Sequence, residues 1–325
     1  MTVAAEVLDV DLLAFERGDG AARRAAVDGV LRSLGTGFVT TSHDVPEDLL
    51  DEAYGMLAAF FALPASVKGR WVAPRSHGQT GYTGLLVETA AGADQADWKE
   101  MLNWSTDLDP AHPLRRRYPA QYHDQVLPDG DVPGIAKVLT TFHRRILDLQ
   151  RRFLRIVAVG LGCRESFFDD LLADGTTLTR AIHYPPMATA PEPGHIWAAP
   201  HTDINLITAL PRASGPGLQL LTSDGWADIA APPGRMIINS GIMLERLTNG
   251  RIPAGLHRVV APEGPGPVGD RYSVVQFCHP APWFVLGPLA SCVTAERPLR
   301  YGAIEAGALL ERVLWDINLV PHAPQ

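Results

Sequence analysis

Cysteine is scarce in this chain: Cys163, Cys278 and Cys292 are the only three among 325 residues. Three scattered thiols make neither a disulfide framework nor a thiolate metal site, and they suit a reducing cytoplasm. Long apolar runs are missing as well. None approaches eighteen residues, and the N-terminal MTVAAEVLDVDLL lacks the basic-then-apolar layout of a secretory signal. Positive charge is in deficit, with 28 Lys and Arg against 36 Asp and Glu, a net charge of −8 and no long basic block. Nucleic acid and anionic membrane are therefore not expected as partners. The chain has no internal repeat, no low-complexity tract and no helical HExxH zinc motif.

What is present describes a large soluble fold. Hydrophobic residues make up 46% and charged residues 20%, and 27 prolines with 30 glycines imply many turns. The first third reads as mixed α/β: a strand-like Val7–Leu13, a helix over Ala21–Leu34, a strand at Gly37–Thr41 and a helix over Pro46–Phe61. From Trp71 to Pro133 no period is clear, yet Tyr82, Trp98, Trp104, Tyr118 and Tyr122 argue for an ordered, functional segment. Leu139, Phe142, Ile146, Leu149, Phe153 and Ile156 then give one helix an apolar face, with Arg144, Arg145, Arg151 and Arg152 solvated on the other. After Gly175 the pattern changes to short strands: Leu178–Tyr184, Ile204–Leu210, Gly217–Leu221, Ala227–Ala230, Met236–Asn239, Gly255–Val260 and Tyr272–His279. Such spacing signals a sandwich or barrel, closed by an amphipathic helix over Ala303–Asp316.

Within the strand-rich half, His201-Thr202-Asp203 is followed by His257 in a β-prone run. If the segment is a strand, His201 and Asp203 share a face and Thr202 points away, so both can ligate one ion in cis. Two imidazoles and a carboxylate with open positions form the facial triad of non-haem Fe(II) oxygenases; zinc is the weaker alternative. A lone His-x-Asp means little, and the later histidine and the order of the motifs make it specific. Arg271 and Ser273 also lie two apart on one strand, where a guanidinium and a hydroxyl suit a carboxylate. Upstream, if Tyr184 points into the barrel, alternation puts Ile182 and Arg180 on the same side and turns Ala181 and His183 away. An inward arginine needs a partner, either a substrate or cosubstrate carboxylate or a structural ion pair.

With these residues in place the chain resembles the isopenicillin N synthase-like branch of the iron and 2-oxoglutarate-dependent dioxygenases, over nearly its whole length. Gly37-Phe38-Val39, His43-Asp44-Val45-Pro46 and Phe60-Phe61-Ala62-Leu63-Pro64 are similar to the family's N-terminal region. Gly81-Tyr82 with Asp97-Trp98-Lys99-Glu100 resembles its GY…DxKE segment. The runs from His201 to Thr208, from Arg246 to Arg251 and from His257 to Val259 resemble its catalytic core, and Arg271-Tyr272-Ser273 its RxS clamp. The chain departs from the pattern at His43-Asp44, where NHG is common, and at Ile242, where relatives often have Asp.

The resemblance implies a mainly β fold with flanking helices, its core a double-stranded β-helix or jelly roll. Residues 1–132 would be the N-terminal mixed α/β region, 133–174 helical support and 175–325 the jelly-roll core with its C-terminal helix. His201, Asp203 and His257 would bind Fe(II). Arg271, Ser273 and Tyr184 would bind the distal carboxylate of 2-oxoglutarate, with O2 as co-reactant and ascorbate as an optional reductant. The implied reaction forms succinate, CO2 and a ferryl oxidant that hydroxylates, desaturates or cyclises a small polar metabolite or natural-product intermediate. Asp203 argues against halogenation. Arg180, Glu88, Trp98, Asn103, Trp104 and Phe277 are the substrate-site candidates, and Lys99-Glu100 reads as a structural pair. His77, His195 and His279 read as non-ligands, His279 as structural at a strand end, and Cys278 as buried. Two alternatives stay open: an oxidase needing no 2-oxoglutarate, as isopenicillin N synthase is, and a silent carboxylate-binding barrel. The substrate and the oligomeric state are not legible.

Overall fold

A computed structural model describes residues 6–89, 95–190, 195–262 and 269–316. Among these residues, twelve strands build two sheets: β1 (Asp9–Val10), β2 (Phe38–Ser42), β3 (Gly81–Thr83), β4 (Glu100–Ser105), β5 (Leu178–Tyr184), β6 (Ala198–His201), β7 (Ile207–Leu210), β8 (Leu218–Thr222), β9 (Gly225–Asp228), β10 (Arg235–Ser240), β11 (His257–Val259) and β12 (Arg271–Cys278). The larger sheet runs β1-β2-β10-β7-β12-β5-β4-β3 and the smaller β6-β11-β8-β9. The side chains of the large sheet alternate between two apolar layers. Val39, Leu102, Ala181, Ile238 and Val274 pack outward with the helices. Phe38, Met101, Ile182, Ile237 and Val275 pack inward with Ala198, Leu218 and Val259 of the smaller sheet. Two sheets enclosing an inner layer, with helices covering the outer face of one, constitute the expected jelly roll.

The periodic segments form where their spacing predicts them. The helix Ile135–Gly160 buries Leu139, Phe142, Ile146, Leu149, Phe153 and Ile156 completely. Its Arg152 is not merely solvated, since it pairs with Glu16, Asp44 and Asp148 and ties the helix to the N-terminal region. Val7–Leu13 contains only the two-residue β1 before a helix over Leu12–Arg17, capped by the Asp11 side chain. The aperiodic stretch after Trp71 supplies β3 and β4, which extend the large sheet beside β5. The C-terminal helix covers Ala306–Asp316, and the residues just before it, Ile304–Glu305, pair with Val285–Leu286.

One backbone approach positions the site. Gly37 has φ +82, and a Cβ there would lie 2.4 Å from the Cα of Gly255. Only glycine fits a left-handed residue so close to another chain segment. The Gly255 amide donates to the Ser240 carbonyl at 2.9 Å, and Phe38 meets the His257 ring edge-on at 5.8 Å. β2, β10 and the entry to β11 are thereby held together beneath His257.

Candidate active site

His201 and His257 face each other across the β6–β11 pair, in direct register. Their rings lie 4.3 Å apart between centroids. Each turns its Nδ1 to a backbone carbonyl two residues earlier: Ala199 at 2.7 Å for His201 and Gly255 at 3.0 Å for His257. Because a carbonyl only accepts, each Nδ1 carries the proton and each Nε2 keeps a free lone pair. His201 is held down at about 4 by burial, with His257 adding to the effect, so its imidazole is neutral at pH 7. Its side chain is 38% exposed, and the residue lines the cavity between the sheets.

Asp203 reaches the pair by a route different from the strand alternation expected. β6 ends at His201, so Asp203 and Thr202 lie in the following loop, and Thr202 lines the cavity instead of pointing away. The Asp203 carbonyl accepts from the Ile242 amide at 2.8 Å. Its Oδ2 accepts from the Thr208 hydroxyl and from Asn239 Nδ2 at 2.8 Å, leaving Oδ1 at 4.0 Å from His201 Nε2. Burial pushes this carboxyl up, but the neighbouring histidines and the two hydrogen bonds hold it below the usual range. One donor atom from each of His201, Asp203 and His257 lies within 4.8 Å of the others, the only such His/Cys/Asp/Glu group among the described residues. Three donors on one side, with their other polar atoms already committed, fit a divalent ion that keeps open positions.

These residues line a cavity of about 540 Å³ between the two sheets. Arg271, Ser273 and Tyr184 stand on its wall, Arg271 opposite Tyr184 in the β12–β5 register. The Arg271 Nε donates to the carbonyls of Gly215 and Pro216 at 3.1 and 2.9 Å, and its guanidinium carbon sits 4.9 Å from the Tyr184 ring. Its Nη1 is buried without a partner. A buried guanidinium nitrogen left unpaired carries a desolvation cost that an anionic ligand would relieve. Burial raises the Tyr184 hydroxyl, keeping it protonated and able to donate.

Of the substrate candidates, Glu88, Arg180 and Phe277 line the cavity. Arg180 is fully engaged: Nε donates to Asn103 Oδ1 at 2.7 Å, Nη1 to Glu88 at 3.3 Å and Nη2 to the Gly78 carbonyl at 3.4 Å. Asn103 is completely buried behind Arg180 and does not reach the cavity. Trp98 is likewise behind the wall, its indole donating to the Pro186 carbonyl at 3.3 Å. Trp104 lies on the opposite face of β4, packed against Phe142 and donating to the Leu139 carbonyl at 3.0 Å. Alternation explains the miss, since Asn103 turns inward and Trp104 therefore turns out.

Lys99 and Glu100 also part company. Lys99 lines the cavity and pairs with Glu88 at 2.6 Å and Asp97 at 2.8 Å. Glu100 points to the helical side, where it accepts from Lys68 at 2.7 Å, from Tyr82 and from His183 at 2.7 Å. Neighbours on an extended chain face opposite ways and cannot pair with each other. That rule, applied to the sequence, would have excluded the Lys99–Glu100 pair. His195 bonds the Ala96 carbonyl at 2.8 Å, away from the three donors. His279, by contrast, is part of the cavity wall and not merely a strand terminator. Ile242 lines the cavity too, so the departure from the family pattern alters the wall itself. Cys278 is fully buried, and burial pushes its thiol up to about 12.

Residues 175–280 match the model of the 2OG-Fe(II) oxygenase superfamily, and residues 6–129 match the non-haem dioxygenase N-terminal model named for morphine synthesis. A 2OG-Fe(II) oxygenase family protein from Caulobacter crescentus shares 33% identity, with a TM-score of 0.84 over 97% of this chain and 100% of that one. The chain belongs to the iron and 2-oxoglutarate-dependent oxygenases, in their isopenicillin N synthase-like branch. This oxygenase is also 27% identical over 310 residues to the mugineic-acid 3-dioxygenase of Hordeum vulgare, covering 92% of this chain and 82% of the relative. A full-length Neurospora crassa protein, solved in complex with alpha-KG, is 25% identical with a TM-score of 0.82, covering 95% and 98%. Fe(II) and 2-oxoglutarate are thus the cofactor and cosubstrate of an oxidoreductase, and the oxidase reading without 2-oxoglutarate is not favoured. No described helix of the oxygenase is long and apolar enough to cross a membrane.

Proposed function

We propose that His201, Asp203 and His257 hold the iron while Arg271, Ser273 and Tyr184 take the distal carboxylate of 2-oxoglutarate, and that the oxygenase oxidises a C–H bond of a small polar metabolite or natural-product intermediate. The observation that carries this reading is the buried, unpartnered Arg271 Nη1 on the wall of the cavity that the three metal donors also line. Bound iron and 2-oxoglutarate would supply, with O2, the oxidising power for hydroxylation, desaturation or ring closure. The chain's own residues bind and orient. Nδ1 donation to Ala199 and Gly255 aims both imidazoles, and Thr208 and Asn239 leave one Asp203 oxygen free. Arg180, Glu88 and Phe277 form the substrate wall, with Asn103 and Trp98 supporting it from behind.

A small-molecule substrate accords with the solved complex of the Neurospora crassa relative with alpha-KG and 5-formyluracil, at 25% identity and a TM-score of 0.79. A reducing cytoplasm would keep the three free thiols reduced and iron ferrous. The test is anaerobic addition of Fe(II) and 2-oxoglutarate, followed by absorbance. A charge-transfer band in the intact oxygenase that is absent in Arg271→Ala is the expected result. No band in the intact protein would sink the assignment.

A further inference from the structure

Beyond the metal donors and the Arg271, Ser273 and Tyr184 group, the buried ionisable groups of the cavity wall are nearly all paired with one another. Arg180 is taken by Glu88 and Asn103, and Lys99 by Glu88 and Asp97. The two cations and two carboxylates sum to zero. An ionised substrate would have to break one of these buried pairs to find a counter-charge, at substantial cost. The cavity also presents apolar surface from Phe277, Ile204, Ile242, Leu310 and Leu314.

His279 is the exception. It follows Arg271, Ser273, Val275 and Phe277 on the cavity-facing row of β12, past the end of the strand remote from Arg271. The residue is 5% exposed, and its Nδ1 is buried with no hydrogen-bond partner. Its backbone is clamped: the Leu206 amide donates to the Cys278 carbonyl at 3.0 Å, and a Cβ on Gly175 would lie 2.4 Å from the His279 carbonyl oxygen. The ring does not belong to the group of three metal donors. A buried, rigidly mounted imidazole nitrogen without a partner is costly to leave unused, and the residue that carries it lines a space meant for a ligand.

Resting on the oxygenase reading above, we propose that His279 is a specificity-determining residue that hydrogen-bonds the polar edge of an uncharged substrate, whose apolar body lies along Phe277, Ile242 and Leu310. The two nitrogens of a neutral imidazole point apart, so the one that meets the substrate makes a single hydrogen bond, as donor or acceptor, to an amide, imide or carbonyl group. Apart from Arg271, an ionised acid has no unpaired Lys or Arg to meet among the described residues that line the cavity.

The experiment uses full-length protein loaded anaerobically with Fe(II) and 2-oxoglutarate. Calorimetry and band perturbation then score uncharged probes against carboxylated counterparts: uracil with orotate, 2-pyrrolidinone with pyroglutamate, indole with indole-3-carboxylate. Binding is expected among the uncharged members, weakened at least tenfold in His279→Phe and partly restored in His279→Asn. The 2-oxoglutarate band should be unchanged in both variants. The Tm of His279→Phe should hold or rise, because an unpaired buried nitrogen is removed; a histidine with a purely structural role would lower it. Preference for the carboxylated members, no binding by any uncharged probe, or equal affinity in His279→Phe would overturn the proposal. Each of those results leaves the 2-oxoglutarate assignment standing, whereas absence of the band in the intact protein would refute that assignment instead.

Discussion

Two arginines on paired strands, Arg271 and Arg180, face the same cavity in opposite states. Arg180 stands across from Val275 and Arg271 across from Tyr184, so they are separated by four residues along the sheet, about 13 Å. Both are largely buried. Arg180 has a partner for each of its three nitrogens, whereas Arg271 keeps Nη1 unpaired. The same side chain is structural at one end and receptive at the other. The difference lies in what surrounds each guanidinium, because a buried charge is either already compensated or waiting for a ligand.

The largest expected effect comes from breaking the compensated end. Glu88→Gln removes the carboxylate shared by Lys99 and Arg180 and should destabilise the fold by about 3–5 kcal/mol, the usual cost of stranding a buried partner, as read by urea unfolding. The substitution should leave 2-oxoglutarate affinity within about twofold, since Arg271 is untouched; a loss there would erase the distinction between the ends. The pH dependence sharpens the point. Burial pushes the Glu88 carboxyl up, but Lys99 and Arg180 outweigh it and hold it at about 2, against 4.5 unperturbed. The unfolded chain therefore binds more protons between these values. The contribution is complete above pH 4.5 and drains away as pH falls toward 2, roughly 3 kcal/mol in all. Acid titration of stability should be flatter in Glu88→Gln over that window.

At the receptive end the readouts should cross. Arg271→Gln removes charge-assisted donors to a carboxylate and should raise the 2-oxoglutarate Kd about 100-fold, near ~2.7 kcal/mol, with Tm little changed. A large fall in Tm with unaltered Kd would make Arg271 structural after all. Ser273→Ala is the mildest of the three. One neutral hydroxyl donor is worth about 1 kcal/mol, so Kd should rise about fivefold by calorimetry. No change would remove Ser273 from the clamp.

Much of this arrangement is legible in residue types and spacing. Alternation puts Arg180, Ile182 and Tyr184 on one face correctly because β5 is long and regular, and all three line the cavity. It puts Asp203 beside His201 for a reason that fails, since the strand stops and a loop held by Ile242, Thr208 and Asn239 completes the turn. Trp104 escapes the reading because a large aromatic in an aperiodic segment says nothing about which face of an undetected strand it occupies. Lys99 is hidden in the same segment, although its adjacency to Glu100 already excludes their pairing.

The order of the ligands and the change from helical to strand periodicity pointed to a metal site in a strand-rich sandwich or barrel, and the motifs' resemblance to a known family implied iron and a jelly roll. Those signals lie in short motifs and in their order along the chain. Which arginine is free was decided only in three dimensions. Glu88 lies 92 residues before Arg180, and Gly215 and Pro216 lie more than fifty residues before Arg271. Whether a buried charge has its partner depends on segments that meet only when the sheets close, and no local pattern records that meeting.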